Sequence, residues 1–302
     1  MQSLWLILQL LICLFLGFIL AKRMSPRLIQ WVYKILPYFT YILLVAIAME
    51  FADTINSLAQ PTHIIKNAFI IASLTSLGSF LCCYIIFKIL RFQPQHGKVS
   101  TELLFSSLLN ISYALFALIA GYFLATYLSA ADYPAHINTW YLLLFFMLLI
   151  GIDLAQSPIN KAWLNWKILL VPVACIVGSI LGACAALLWI EQLSLSELFL
   201  LSQGYGFYSM SSIVISELKN PQLGSIALVN DLLREVFAIL LMYLLGWRYP
   251  RAAIATAGAT AMDVTLPMVK QSCGNQFIPH AMVSGFILSI VAPIAVSMLA
   301  AL

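Results

Sequence analysis

Charge is what this sequence has least of. Only 9% of its 302 residues are Asp, Glu, Lys or Arg, while 63% are hydrophobic. That balance excludes an ordinary soluble domain and describes a polytopic membrane protein. No hydrophilic stretch is long enough to form a separate globular domain. The basic residues lie in short loops, so the net charge of +4 carries no argument for a nucleic-acid partner. Cysteine is also sparse. Five of the six, Cys13, Cys82, Cys83, Cys175 and Cys184, fall in apolar runs, and no CxxC occurs, which excludes a disulfide framework and a thiolate metal site. His-Glu-x-x-His, Gly-x-Ser-x-Gly and Gly-x-x-x-x-Gly-Lys-Ser/Thr are all absent. A zinc peptidase, a serine hydrolase and a nucleotide-driven pump therefore lack their motifs.

What is present is a series of apolar runs. Those at 4–21, 35–51, 65–90, 103–128, 137–155, 168–190, 221–247 and 278–302 approach or exceed the ~20 residues that cross a bilayer. Nothing basic precedes the first run, whereas Lys22, Arg23 and Arg27 follow it. It reads as an anchor with its N-terminus outside, not as a signal peptide. Alternation from there puts both termini on the periplasmic side.

The first six runs repeat internally. Gly17-Phe18-Ile19-Leu20-Ala21 matches Gly121-Tyr122-Phe123-Leu124-Ala125, and Leu77-Gly78-Ser79 matches Leu181-Gly182-Ala183, both at an offset of 104. Ala48-Met49-Glu50-Phe51-Ala52 matches Gly151-Ile152-Asp153-Leu154-Ala155 at 103. A repeat of three spans enters the membrane upside down, a transporter signature. The expected organisation is a scaffold of two inverted three-helix repeats over 1–194 and a transport core over 195–302. Glu50 and Asp153 read best as interfacial carboxylates at equivalent span ends.

Two segments are too rich in Gly and hydroxyls to face lipid: 202–212, and 252–269 with Gly258-Ala259-Thr260-Ala261-Met262-Asp263 at its middle. Irregular backbone at membrane depth must be covered by protein or line a cavity. Both are expected to be broken, re-entrant hairpins, at 195–219 and 252–271. On that reading 12 of the 15 Lys and Arg are cytoplasmic, against 11 for ten full crossings. Between them, Asn230-Asp231-Leu232-Leu233-Arg234-Glu235 interrupts an apolar run. Each charge costs about 2.5–3.5 kcal/mol at the centre of a lone inserting helix, so such residues face a bundle interior or a watery path. On a helix Asp231 reaches Arg234 at i,i+3 and Glu235 at i,i+4. Asp231 is expected to neutralise Arg234, leaving Glu235 as the spare negative charge.

Gly206-Phe207-Tyr208-Ser209-Met210-Ser211, the Asn230–Glu235 run and Gly258-Ala259-Thr260-Ala261-Met262-Asp263-Val264-Thr265-Leu266-Pro267 together resemble the signature of the lysine exporter family of LysO type. The likeness covers the whole chain in span layout and is dense from about 200 onward. It departs at Phe207, where the family has Trp, at Ser212, where it has Gly, and at Ala261, where it has Ser. The resemblance implies export of L-lysine and analogues such as thialysine across a bacterial inner membrane, with Glu235 and Asp263 as the critical acidic residues. It implies no cofactor beyond a proton or other ion gradient. The layout is similar to that of elevator-type transporters. The lipid bilayer and the amino acid are then the partners, with a homo-oligomer left open.

The residues suit that substrate on their own chemistry. Lysine carries two ammonium groups and one carboxylate. Asp231, Arg234, Glu235 and Asp263 sum to −2. One carboxylate can hold the side-chain ammonium, and Arg234 or a half-helix N-terminus can hold the substrate carboxylate. Tyr205 and Tyr208 can flank an ammonium, and Asn230, Ser209, Ser211 and Thr260 complete the candidate contacts. Two other classes compete. An inorganic cation/proton antiporter also uses buried carboxylates, though a bare cation has no use for Arg234. An intramembrane aspartyl protease would need Asp231 and Asp263 as its pair, but Asp263 follows Ala-Met, not Gly-x-Gly. The topology is open to a direct check. A Tyr249→Cys variant should react with an impermeant thiol reagent from the cytoplasmic face alone, and labelling from outside would favour ten crossings.

Overall fold

The computed structural model describes residues 2–57, 62–91, 101–130, 138–156, 165–262 and 264–301. Among them no strand occurs. The chain forms α1 (Gln2–Ala21), α2 (Pro26–Ser57), α3 (Thr62–Ile89), α4 (Thr101–Ala130), α5 (Thr139–Gln156) and α6 (Trp166–Ala186). It continues with α7 (Leu195–Ser202), α8 (Tyr208–Leu218), α9 (Pro221–Leu245), α10 (Pro250–Ala257), α11 (Leu266–Met268) and α12 (Ile278–Ala301). Among the described residues, five helical stretches are long and apolar enough to cross a membrane: Pro26–Met49, His63–Ile89, Thr139–Gln156, Trp166–Ala186 and Asn275–Ala301. The protein is an all-helical, polytopic membrane protein. At 25 residues, α9 is about 37 Å long, but it carries Asp231, Arg234 and Glu235 at its middle.

Local signals place the later helix starts. Asn165 Oδ1 accepts from Lys167 N–H at 3.2 Å at the head of α6. Ser194 and Glu197 form a reciprocal capping box on α7. Asn220 Oδ1 accepts from Leu223 N–H at 2.8 Å, and Pro221 follows at the first position of α9, where no N–H is needed.

The helices pack in two groups. α1 runs along α5, α2 runs along α4, and α2 also touches α5. Trp140 Nε1–H of α5 donates to Gln9 Oε1 of α1 at 3.2 Å. By contrast α3 crosses α6, and the crossed pair packs against α7, α9, α10 and α12. So α3 and α6, which fall within the first 194 residues, sit with the elements beyond residue 194. Glycine makes that crossing close. A Cβ on Gly78 would strike the Gly178 carbonyl, and one on Gly182 would strike the Leu74 carbonyl. The pattern recurs between the other pairs: Gly17 lies against the Leu148 carbonyl and Gly151, and Gly121 against the Val45 carbonyl and Ala48. Each of these contacts maps onto its counterpart at an offset of 103 or 104.

The ends of α3 mark two levels. His63 Nδ1 and Gln192 Oε1, ahead of α7, lie 3.2 Å apart at its N-terminal end. At its C-terminal end Arg251 sits 4.9 Å from the Phe87 ring, and the Tyr249 ring meets Tyr84 edge-on at 5.0 Å. The chain that leaves Pro250 turns through a tight 3-10 segment, Gly258–Met262, and comes back: Cys273 Sγ–H points to the Pro250 carbonyl at 4.0 Å. Gly258 turns with φ +62°, and its Cα lies too close to the Tyr205 carbonyl for any side chain. Ala259 N–H donates to that same carbonyl at 2.9 Å, so the two breaks meet.

The α3–α6 crossing yields a stability test. Gly182→Leu would drive a side chain into the α3 backbone at Leu74 and Thr75. Overpacking of this kind costs about 1–3 kcal/mol. The melting temperature of the detergent-purified variant should fall by several degrees, and an unchanged value would contradict a backbone-close crossing.

Candidate functional site

A helix broken at membrane depth leaves carbonyls at the end of one half and amides at the start of the other. Side chains of α9 satisfy both ends of the α7–α8 break. Asn230 Nδ2–H donates to Leu201 O at 3.0 Å, and Arg234 Nη1–H to Ser202 O at 3.0 Å. Asp231 turns to the other half. It accepts from Gly206 N–H at 3.1 Å and from Ser211 Oγ–H at 2.5 Å. The charges thus complement the half-helix dipoles, with the cation at the C-terminal end of α7 and the anion near the N-terminal end of α8. Gly204 leaves the space that the Asp231 carboxylate fills.

Arg234 reaches further still. Its Nη2–H groups face Ser179 Oγ at 2.7 Å, Ser79 Oγ at 3.4 Å and Cys175 Sγ at 3.5 Å, at the α3–α6 crossing. Its guanidinium carbon lies 5.5 Å from the Tyr205 ring centroid. Arg234 is 1% exposed and Asp231 is fully buried. The direct Asp231–Arg234 pair expected from the i,i+3 spacing is therefore not what forms. Spacing along one helix made contact available, but the open ends of two half-helices compete for the same groups. Tyr205 is also withdrawn: its hydroxyl donates to Gln203 Oε1, and its side chain is fully buried.

Glu235 faces elsewhere. It lines a cavity of about 340 Å³ between the two helix groups. From α2 come Thr40 and Tyr41, and from α5 Phe146 and Ile150. Gly206, Phe207, Tyr208 and Ser209 line the opposite wall, with Thr260 and Met262 from the second break and Ser289 from α12. Phe207 meets Phe146 edge-on across this wall, with ring centroids 6.2 Å apart. Of the candidate residues, Glu235, Tyr208, Ser209 and Thr260 come together here. Asn230, Asp231, Arg234 and Ser211 bind the break instead. Asp263 lies outside the described residues, although Met262 and Val264 on either side of it line the cavity. Among the described residues no cluster of His, Cys, Asp or Glu could hold a metal ion.

The α2 wall and Ser289 were missed from sequence. The one signal was the hydroxyl pair Thr40-Tyr41 inside an otherwise apolar run, and Thr40 is partly explained by a bond to the Leu36 carbonyl at 3.0 Å. Ser289 is one of three serines in an apolar helix, with Ser284 and Ser297, and their spacing gives no pattern that singles it out.

Comparison with known proteins follows the same lines. The family described as Lysine exporter LysO matches residues 11–101 and 115–300. The chain is 35% identical over 163 residues to "Lysine exporter LysO" of Escherichia coli strain K12, a match covering 53% of this chain and 54% of that protein. It is 31% identical over 156 residues to "Putative lysine exporter" of Haemophilus influenzae, covering 51% of this chain and 80% of that one. The match thus spans about half the length of the E. coli relative. No solved structure matches. With the family signature extending over nearly the whole of its helical body, the chain belongs to the lysine exporter LysO family.

Proposed function

We propose that this protein exports L-lysine, and analogues such as thialysine, across the bacterial inner membrane in exchange for protons. One observation carries the reading: of the three charged residues in the middle of α9, Asp231 and Arg234 are consumed by the α7–α8 break, and Glu235 lines the cavity. A volume of about 340 Å³ lies at the small end of ligand pockets and suits an amino acid. The carboxylate of Glu235 suits an ammonium group, and Tyr208 and Tyr41 offer aromatic faces beside it. The names carried by the two relatives support lysine as the substrate.

Exporting a cation from a negative cytoplasm costs about 2.3 kcal/mol per charge per 100 mV. The sequence carries no nucleotide-binding loop, so the energy comes from an ion gradient unless a separate ATPase subunit supplies it. Glu235, with Asp263, would alternate between holding a proton and facing an ammonium, so substrate binding and protonation exclude each other. This couples the two fluxes in opposite directions.

The topology proposed is eight crossings with two re-entrant hairpins and both termini periplasmic. In support, the approach to α7 lies beside one end of α3, the start of α10 lies beside the other end, and Cys273 returns to Pro250. The equal offsets of the glycine contacts support inverted three-helix repeats. The packing supports a division into α1, α2, α4 and α5 as one body and the remaining helices as the other. The cavity lies on that seam, where relative movement of the bodies would open it to either side.

Proteoliposomes test the reading. With a pH gradient imposed, the wild-type protein should accumulate radiolabelled lysine against its gradient. Glu235→Gln, which mimics a permanently protonated carboxyl, should abolish that accumulation while keeping the melting temperature. Gradient-driven lysine flux in this variant would remove Glu235 from the coupling step. Arg234→Ala should lose export and stability together, by about 3–5 kcal/mol as for other broken buried charge networks. Asp263→Asn should impair lysine handling more than Asp153→Asn, and equal losses would place the site in the wrong half. Cells lacking the gene should become sensitive to thialysine, provided no other exporter is present.

A further inference from the structure

A guanidinium is the natural clamp for a substrate carboxylate, but Arg234 is not in the cavity. Its terminal nitrogens are bound to Ser202 O and to the α3–α6 crossing. Other donors do face the cavity. The first turn of α8 opens onto it, with Gly206 through Ser209 along the wall. Phe207 occupies the N-cap and offers no side-chain cap. The backbone bonds of this 11-residue helix begin at Met210 and Ser211, which both donate to the Phe207 carbonyl at 3.1 and 3.0 Å. The Ser209 amide lies ahead of them.

Two serines point the same way. Ser209 is 3% exposed and Ser289 is 4% exposed, and both line the cavity. A helical serine commonly returns its hydroxyl to a carbonyl one turn back, as Ser212 does to Tyr208 at 2.7 Å. Neither Ser209 Oγ nor Ser289 Oγ has a hydrogen-bond partner among the described residues. A buried hydroxyl left open in a cavity is a place where a ligand completes the bonding. Asp231 already complements the positive end of the α8 dipole through Gly206 N–H and Ser211 Oγ–H, so the subsite consists of the two open hydroxyls of α8 and α12. Glu235 also lines the cavity and repels a carboxylate.

Resting on the lysine reading above, we infer that the substrate's α-carboxylate is held at the first turn of α8 by the hydroxyls of Ser209 and Ser289, with its side-chain ammonium toward Glu235. The cavity then reads an amino acid and not merely a diamine. Ser289 is a specificity-determining residue, and Arg234 is a positioning residue that acts through the break.

The test compares L-lysine with cadaverine, the diamine of the same chain length that lacks the carboxylate. Binding of each is measured by calorimetry on the purified full-length protein. The wild type should bind lysine at least about tenfold more tightly, a hydrogen bond to a charged group being worth that much. Ser209→Ala and Ser289→Ala should each weaken lysine about tenfold while leaving cadaverine within about twofold, and Ser289→Thr should recover most of the lysine affinity. Equal weakening of both ligands, or none, would overturn the subsite. Should the alanine variants fail to fold, the wild-type comparison decides alone, and equal affinity for the two ligands rejects the subsite. A wild type that binds cadaverine but discriminates against lysine rejects it too. A wild type that binds neither ligand rejects the lysine reading itself, and the subsite with it.

Discussion

An interrupted helix inside a membrane must find partners for its exposed backbone, and that demand organises this molecule. The α7–α8 break presents carbonyls at Leu201 and Ser202 and an amide at Gly206, with no water in reach by default. Asn230, Arg234 and Asp231 answer them from one turn of α9. Once those three are committed, the placing of Glu235 follows, because the next residue along that helix lies past the break and lines the cavity. The cavity and the break are two faces of one arrangement.

The same demand explains why α3 and α6 stay with the later helices. Arg234 has more donors than one carbonyl can use, and the surplus goes to Ser79, Ser179 and Cys175. Those acceptors come within reach because Gly78, Gly178 and Gly182 let two backbones nearly touch. The helices that do not serve the break, α1, α2, α4 and α5, pack among themselves. The seam between the groups is closed by apolar and aromatic contacts such as Phe207 on Phe146. Such contacts are less directional than the hydrogen bonds on the other side and tolerate sliding better.

Much of this was legible in the residues. The apolar runs, the two Gly- and Ser-rich interruptions and the polar hexad of α9 all appear as patterns of composition, and composition is what a bilayer selects. The glycine matches at constant offset pointed at residues that do make the closest helix contacts, Gly17, Gly78, Gly121 and Gly182. The partners of individual side chains were not legible. Asp231 and Arg234 are spaced to pair, and only the three-dimensional neighbourhood reveals that half-helix ends outbid each for the other. Ser289 enters the site through tertiary packing alone, and Tyr41 showed only as part of a hydroxyl pair in an apolar run. The six-span unit follows chain order, and the contacts of α3 and α6 with α7, α9, α10 and α12 are a tertiary feature that chain order does not display.

The contact between Arg234 and the α3–α6 crossing also bears on how the chain can be assembled. Ser79 and Arg234 are 155 residues apart. The carbonyls at the end of α7 wait for Asn230 and Arg234, about 30 residues downstream. A half-helix of eight residues such as α7 is too short to hold itself together alone. During synthesis, then, the break can close only after α9 has emerged, and only against an α3–α6 pair that is already in place. The last quarter of the chain locks the first third, so a truncation that spares every earlier span would still leave the broken helix open.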